Sequence, residues 1–222
     1  MIESRKVLVV EDDALLRSLI ADVVSGSGFT VAVASNAVEA KQVILNFDPD
    51  VAVLDIELGT GPTGLDVAEF ITKQKPHIAI AMLTHLPDPR FAGEDSKSIP
   101  KRAAYIRKET ITKPGALVEI IERVLRDEVH AELRHDLDPE RPLGTLSKSQ
   151  IGVLRSIALG LSNTEIAEQR DSTVRAVEQL IRRTLVAAGI EGDPSLSTRT
   201  AAARAYIEAA GLPISNDAGT ND

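Results

Sequence analysis

The chain has 222 residues, of which 43% are hydrophobic, and a formal net charge of −8. This length allows one large domain or two small ones, and the negative charge argues against indiscriminate binding of nucleic acid. Cysteine is absent, which excludes disulfides, thiolate metal sites and a cysteine nucleophile. No apolar run approaches the ~20 residues of a membrane span and the N-terminus lacks a signal-peptide layout, so we expect a cytoplasmic protein with no membrane contact.

The first 125 residues alternate between two patterns of apolar residues. Short runs rich in Val and Ile predict buried strands at 7–10, 31–34, 51–54, 78–83 and 103–106. Apolar residues at three- and four-residue spacing predict helices at 15–24, 37–46, 65–75 and from 112 onward. The alternation predicts an α/β fold with a doubly wound, parallel, five-stranded sheet.

Two segments depart from this alternation. Residues 85–101 contain three prolines, so we expect little regular helix there. The last helix of this region is expected to run on through Val129, Leu133 and Leu137, where its apolar spacing persists. Asp138 to Gly144, rich in Pro and charge, follows as a linker.

Beyond the linker, all patterns are helical. The predicted helices lie at 147–159, 163–170, 174–188 and 198–210. Residues 146–190 hold six basic and four acidic side chains, whereas residues 1–142 hold 17 basic and 24 acidic ones, which favours two domains with different partners. We predict an α/β domain at 1–126, a helical extension and linker at 127–145, a small all-α domain at 146–212 and a disordered tail at 213–222.

Chemically reactive side chains follow four of the predicted strands. They are Glu11, Asp12 and Asp13 after the first strand, Asp55 after the third, Thr84 after the fourth and Lys108 after the fifth. Ligands of an open parallel sheet lie at the carboxyl ends of its strands, so these side chains converge. An all-oxygen set without His or Cys suits Mg²⁺. An aspartate beside Mg²⁺ and a lysine is a good phosphoryl acceptor, because both cations offset the charge of the incoming phosphate.

Each of these residues also has a simpler interpretation. Asp12 or Asp13 could cap the helix that begins at Ala14. Thr84 could be an ordinary loop residue, and Lys108 a solvated surface charge. The combination at successive strand ends is what favours the phosphoryl site.

Residues 5–126 resemble the receiver domain of two-component response regulators, which has a flavodoxin-like fold. The resemblance implies that Glu11, Asp12, Asp55 and the backbone carbonyl of Glu57 hold Mg²⁺. It further implies that Asp55 is phosphorylated, that Thr84 and Lys108 contact the phosphoryl group, and that Tyr105 switches with Thr84.

The sequence departs from the receiver pattern at several points. The loop from Asp55 to Gly64 is one residue longer than usual, His85 replaces a small residue, and Glu109 replaces a proline. The irregular 85–101 segment also replaces a regular helix that receivers use in dimerisation. The stretch "VLDIELGT" is also similar to the Asp-x-Asp-x-Thr loop of aspartate-nucleophile phosphatases, which offers an alternative. In this chain Glu57 takes the place of the second Asp.

The second half of the chain carries a different pattern. Two short predicted helices, the second rich in Arg and Gln, are separated by a polar turn at Gln169–Thr173. This is the layout of a helix-turn-helix, in which Arg and Gln read base edges and further Arg side chains contact phosphates. Arginine on a helix is more often simply solvated.

The motif "GLSNTEIA…RAVE" resembles the LuxR/NarL-type DNA-binding domain across residues 146–210. The resemblance implies that the side chains facing DNA are Arg175, Glu178, Gln179, Arg182 and Arg183. The turn, with Ser172-Thr173, departs from the family pattern, as does the longer connection to the last helix.

These observations predict a DNA-binding response regulator and not an enzyme. A sensor histidine kinase is expected to phosphorylate Asp55, and the protein is expected to bind double-stranded DNA as a homodimer. The alternative is an atypical receiver regulated by a protein or small ligand without phosphorylation.

Overall fold

The structure is a computed structural model that describes residues 4–95, 97–190 and 197–213. The chain forms two compact units. The first comprises Met1–His85 and Lys97–Leu137, and the second comprises Leu86–Ser96 and Asp138–Asp222. Among the described residues, no helix has both the length and the apolar character needed to cross a membrane.

A parallel five-stranded sheet forms the centre of the first unit. Its strands are β1 (Lys6–Val10), β2 (Thr30–Ala34), β3 (Val51–Leu54), β4 (Ala79–Thr84) and β5 (Ala104–Arg107). Their order across the sheet is β2-β1-β3-β4-β5, and every neighbouring pair is parallel. All five predicted strands are present, and the prediction of a doubly wound α/β fold is confirmed.

Helices cover both faces of this sheet. They are α1 (Ala14–Gly26), α2 (Ala37–Phe47), α3 (Gly64–Gln74) and α4 (Pro114–Leu125). Ile20 of α1 and Ile121 of α4 pack with Val9 and Val53 in one hydrophobic core. Because burial on both faces removes the central strands from water, their sequences are continuous apolar runs.

Helix α4 ends at Leu125, so the prediction that it continues to Leu137 is wrong. Asp127 adopts a left-handed conformation with φ of 60°, and the Glu128 N–H bonds back to the Arg123 carbonyl, which closes the helix. Two short 3-10 turns follow, at Ala131–Leu133 and His135–Leu137. Leu133 is nevertheless buried in the core, which explains why this residue is apolar although it lies outside the helix.

These turns lie along the outer edge of β5. Arg134 forms a parallel bridge with Tyr105, and the Arg107 N–H donates to Nδ1 of His135 at 3.1 Å. Asp136 is buried and pairs with the Arg134 guanidinium at 2.7 Å. The segment 131–137 therefore occupies part of an edge that the strand order leaves open.

The second unit is helical. Its helices are α5 (Lys148–Ala158), α6 (Asn163–Gln169), α7 (Val174–Ala187) and α8 (Thr198–Ala210), close to the four predicted ones. Ser147 and Ser162 form capping boxes with Gln150 and Glu165, which explains where α5 and α6 begin. The small all-α domain is thus confirmed, whereas the expected disordered tail at 213–222 lies, apart from Pro213, outside the described residues.

The chain enters the second unit twice. The first entry is the segment between β4 and β5. As expected for residues 85–101, it contains little regular helix, and one 3-10 turn is present at Pro89–Ala92. That segment nonetheless packs against α5 in the second unit. Its sequence pattern indicates only a loop of the sheet and gives no sign of packing with the later helices.

Candidate functional site

An acidic cluster lies at the carboxyl ends of β1 and β3. Glu11 and Asp55 are buried, with 2% and 5% of their surfaces exposed, whereas Asp12 is exposed. Oxygen atoms from the three carboxylates all lie within 4.8 Å of one another. The register aligns Val10 with Leu54 across the two strands, so the residues that follow meet at one edge of the sheet.

Lys108, which follows β5, reaches across to this cluster. Its Nζ donates to Oδ2 of Asp55 at 2.6 Å and to Oε2 of Glu11 at 2.7 Å. The Lys108 side chain is only 10% exposed, so both ion pairs are shielded from water. The alternative that Lys108 is a solvated surface charge is therefore wrong.

The surroundings in the cluster shift the pKa values of Glu11 and Lys108. Burial, followed by repulsion from Asp55, raises the pKa of Glu11 above its ordinary value despite the bond from Lys108. Burial alone lowers the pKa of Lys108, but attraction to Asp55 and Glu11 outweighs it and the pKa is raised. One lysine thus faces three carboxylates, and the cluster retains an excess of negative charge.

The carboxylates suit a divalent cation. Each offers an oxygen ligand, their burial limits the screening of their charge by water, and the exposed position of Asp12 leaves the cluster open to solvent on one side. Hard oxygen donors with access for water are the ligands that Mg²⁺ prefers. The residues present therefore fit Mg²⁺.

The neighbouring Asp13 has a different task. It is the N-cap of α1, and its Oδ1 accepts from the Leu16 N–H at 2.7 Å. Nη1 of Arg17, one turn into the helix, donates to the carbonyls of Glu11 and Asp12 at 2.7 and 3.1 Å. Asp13 therefore caps the helix, whereas Asp12 belongs to the acidic cluster.

The loop after Asp55 is held close to it. The Glu57 N–H donates to Oδ1 of Asp55 at 3.3 Å, and Gly64 at the start of α3 donates its N–H to the Ile56 carbonyl. A Cβ added to Gly64 would lie 1.8 Å from the Asp55 carbonyl oxygen, so only glycine fits there. From the sequence, Gly64 served only to count the loop length, and this role was missed.

Thr84 and Tyr105 are both fully buried. Thr84 ends β4 opposite Arg107, and Tyr105 lies two residues earlier on β5, opposite Met82. The strand pairing therefore places Thr84 at the same edge of the sheet as Asp55 and Lys108. It also places Tyr105 two residues farther from that edge, where it forms the bridge with Arg134.

Two of the departures from the receiver pattern, His85 and Glu109, contact each other. Nδ1 of His85 lies 2.9 Å from Oε1 of Glu109, and both side chains are about half exposed. Because His85 follows Thr84 and Glu109 follows Lys108, this pair links the ends of β4 and β5 beside the cluster. No pattern within either strand signals the contact, since the partners are 24 residues apart.

The second unit presents the predicted DNA-facing side chains on α7. Val177 and Leu185 are buried and fix the inner face of the helix. The five predicted residues are all exposed: Arg175, Glu178, Gln179, Arg182 and Arg183. The turn before α7 holds Asp171 in a left-handed conformation with φ of 47°. Three guanidinium groups on one exposed helix suit phosphate and base-edge contacts.

Comparisons with known proteins agree with both halves. Residues 7–125 match the model of the response regulator receiver domain. A nitrate/nitrite response regulator protein homolog of Haemophilus influenzae is 32% identical over 195 residues, covering 83% of this chain and 90% of the relative. The oxygen regulatory protein NreC of Staphylococcus aureus is 24% identical over 204 residues, covering 86% and 94%.

The fold itself has counterparts among solved structures. A CheY-like receiver domain protein from Methanospirillum hungatei aligns with a TM-score of 0.50 and 24% identity, covering 57% of this chain and 97% of that one. At this level of identity the likeness concerns the fold of the sheet and its helices.

Proposed function

Because the chain belongs to the response regulator family and carries its receiver domain at residues 7–125, we propose that phosphorylation of Asp55 controls how its second unit acts on DNA. The observation that carries this proposal is the double ion pair of Lys108 with Asp55 and Glu11. A buried aspartate held by one lysine within an acidic cluster has the charge balance of a phosphoryl acceptor.

The chain's own residues position the acceptor. The Glu57 N–H holds Oδ1 of Asp55, and Lys108 holds Oδ2. A bond forms between a carboxylate oxygen of Asp55 and phosphorus while the bond from phosphorus to the donor's leaving group breaks. Lys108 then pairs with the transferred phosphoryl group, and the Thr84 hydroxyl donates a hydrogen bond to it.

The proposed metal ligands are Glu11, Asp12, Asp55 and the Glu57 carbonyl. Mg²⁺, when bound, supplies positive charge that offsets the negative charge of the incoming phosphate. Glu11 and Asp55 are already grouped, so little rearrangement of the protein is needed to bind the cation.

The proposed donor is the phosphohistidine of a sensor kinase, and the proposed target is double-stranded DNA in the cytoplasm. Arg175, Gln179, Arg182 and Arg183 contact DNA, with Glu178 on the same exposed face. One small module with few cationic contacts binds weakly, so we propose that the protein acts as a homodimer on paired half-sites. Beyond its own phosphorylation, we propose no enzymatic turnover.

Incubation with Mg²⁺ and acetyl phosphate, followed by intact mass spectrometry, tests the acceptor. We expect a gain of one phosphoryl group that disappears in Asp55→Asn. Asp13→Asn is the matched control, because Asp13 is an adjacent acid whose capping role asparagine preserves. Absence of the adduct in the unaltered protein across pH and Mg²⁺ concentration supports the alternative of an atypical receiver that responds to a protein or ligand.

Binding to promoter fragments at several salt concentrations tests the second unit. Replacing Arg182 and Arg183 with Ala is expected to weaken binding and to reduce the slope of log K against log salt by about 2, because two phosphates are no longer neutralised. Arg204→Ala on α8, where Arg204 pairs with Glu208, is the control and should leave the slope unchanged. An unchanged slope in the double variant contradicts the assignment of α7.

A further inference from the structure

The segment between β4 and β5 is buried although its sequence is that of a loop. Leu86, Asp88 and Phe91 are each at most 2% exposed, and Pro89 is buried as well. Polar, proline-containing connections normally run over the surface and tolerate change. Burial of this connection within the second unit indicates a structural task there.

An ionic cluster fixes the segment in that unit. Asp88 accepts from Nε and Nη2 of Arg90 at 2.8 and 2.5 Å, and from Nε of Arg141 at 2.9 Å. Burial alone raises the pKa of Asp88, but the bonds from Arg90 and Arg141 outweigh it and the pKa is lowered. The carboxylate is therefore charged and fully paired, although it is buried.

The same arginine holds the chain just before α5. Nη1 of Arg90 donates to the Gly144 carbonyl at 3.3 Å and also to the Leu146 carbonyl. Leu146 directly precedes Ser147, the N-cap of α5. Arg90 thus sets the position of the backbone from which the first helix of the unit starts.

An aromatic contact fixes the segment at a second point. The rings of Phe91 and Tyr206 are 5.6 Å apart and tilted by 41°, and Tyr206, on α8, is only 2% exposed. Tilted pairs of buried rings contribute beyond the area that they bury. Residues 88–91 therefore bridge the start of α5 and the middle of α8.

We infer that residues 86–91 are a coupling element that transmits a change at Thr84 to the start of α5. Only His85 separates Thr84, the last residue of β4, from this buried segment. Closely packed groups shift together instead of deforming independently, so displacement of the chain at Thr84 changes the contacts of Arg90. This inference rests on the proposed function for its signal, since phosphorylation of Asp55 supplies the change at Thr84.

Hydrogen exchange of the full chain tests the contact without any phosphorylation. Arg90→Ala should speed exchange at the Leu146 and Ile151 amides about tenfold, because the charge-assisted hydrogen bonds to the Gly144 and Leu146 carbonyls are removed. Arg102→Ala, which removes an exposed ion pair with Asp127 in the first unit, is the matched control and should leave those amides unchanged. Unaltered exchange in Arg90→Ala overturns the inference.

A double-mutant cycle tests the transmission. Thr84→Ser should change exchange at Leu146 and Ile151 in the otherwise unaltered chain but not in Arg90→Ala, and Phe91→Leu provides a second, milder background. Equal effects of Thr84→Ser in all backgrounds, or no effect in any, overturn the inference.

Acetyl phosphate with Mg²⁺ then supplies the proposed signal. Phosphorylated protein should show the same changes at Leu146 and Ile151, and these should disappear in Arg90→Ala although the adduct on Asp55 still forms. Persistence of the changes in Arg90→Ala overturns the inference. Failure to form the adduct counts against the proposed function alone, because the mutant cycle decides the coupling independently.

Discussion

Two of the buried clusters of acid and base in the described part of the chain differ in the sign of their excess charge. In the first unit, Lys108 faces Glu11 and Asp55, with Asp12 nearby. In the second unit, Asp88 faces Arg90 and Arg141. The first cluster has more carboxylates than cations, and the second has more cations than carboxylates.

This difference decides what each cluster can do. Burial, followed by repulsion from Asp55, raises the pKa of Glu11, and the excess of carboxylates favours binding of a further cation. An excess of guanidinium groups lowers the pKa of Asp88, and the surplus donors bond backbone carbonyls such as that of Gly144. Similar residue types therefore serve ligand chemistry in one unit and architecture in the other.

Removal of Asp88, the acid of the second cluster, is expected to have the largest effect on stability. Asp88→Ala leaves two arginines facing each other without their shared partner, and we expect the second unit to lose about 3 kcal/mol of stability. Exchange of the slowest amides of α5 and α8 measures the loss. Glu94→Ala, an exposed acid on the same segment, is the control and should have little effect. A loss below that of the control contradicts a structural role for Asp88.

The backbone beneath the first cluster provides a second test of the comparison. Gly64→Ala forces a Cβ into the Asp55 carbonyl, and we expect a loss of about 2 kcal/mol of unfolding free energy together with slower phosphorylation. Chemical denaturation and the acetyl phosphate reaction measure both. Gly115→Ala, where the new Cβ meets no atom within 4 Å, is the matched control. Equal stability and equal phosphorylation rates in the two variants would contradict a close approach of α3 to the Asp55 carbonyl.

Only the first cluster, with its excess of carboxylates, is expected to bind Mg²⁺. Mg²⁺ at 100 times its dissociation constant should stabilise the folded first unit by about 2.7 kcal/mol, seen as a rise in Tm. Asp12→Ala should abolish most of this rise, whereas Asp88→Ala should retain it because Asp88 belongs to the other cluster. A full rise in Asp12→Ala contradicts the proposed metal site.

The smallest expected effect is a difference in pH dependence, measured without divalent cations. The folded-state pKa of Asp88 lies below its ordinary value of 3.8, so its stabilisation is present above pH 3.8 and is lost as the pH falls through the folded-state pKa. The pKa of Glu11 lies above its ordinary value of 4.5, so stability falls as the pH rises from 4.5 through the folded-state pKa.

Denaturation across pH therefore separates the two acids. Asp88→Asn should remove a loss of stability that occurs below pH 3.8, and Glu11→Gln should remove a loss that occurs above pH 4.5. Both effects are expected to be smaller than those of the preceding variants, because each involves the protonation of a single carboxyl group. If Asp88→Asn instead removed a loss of stability at higher pH, and Glu11→Gln removed one at lower pH, the charge balance described for the two clusters would be contradicted.

Local patterns were sufficient to predict most of the fold. Continuous Val and Ile runs predict the five strands because both faces of the sheet are covered, and apolar periods predict the helices of the second unit. The strand order of a parallel sheet then brings Asp55 and Lys108 to one edge. Their direct contact at 2.6 Å follows from that topology.

Features that depend on distant partners were not predictable in this way. Asp88 and Arg141 are 53 residues apart, and no spacing rule relates them. The end of α4 was missed because Leu133 keeps an apolar spacing that suits a helix, yet a left-handed Asp127 turns the chain before it. The same difficulty applies to the pairing of His85 with Glu109, which brings together two residues that were noted only as separate departures.

Residues 131–137 cover part of the outer edge of β5, and this affects whether strands of other molecules can add to the sheet. An outer strand with free amides invites a foreign strand to add to the sheet, which is a common route to aggregation. Arg134 and His135 already engage the backbone of β5 on that side. Addition of a strand from another molecule is therefore disfavoured along this part of the border.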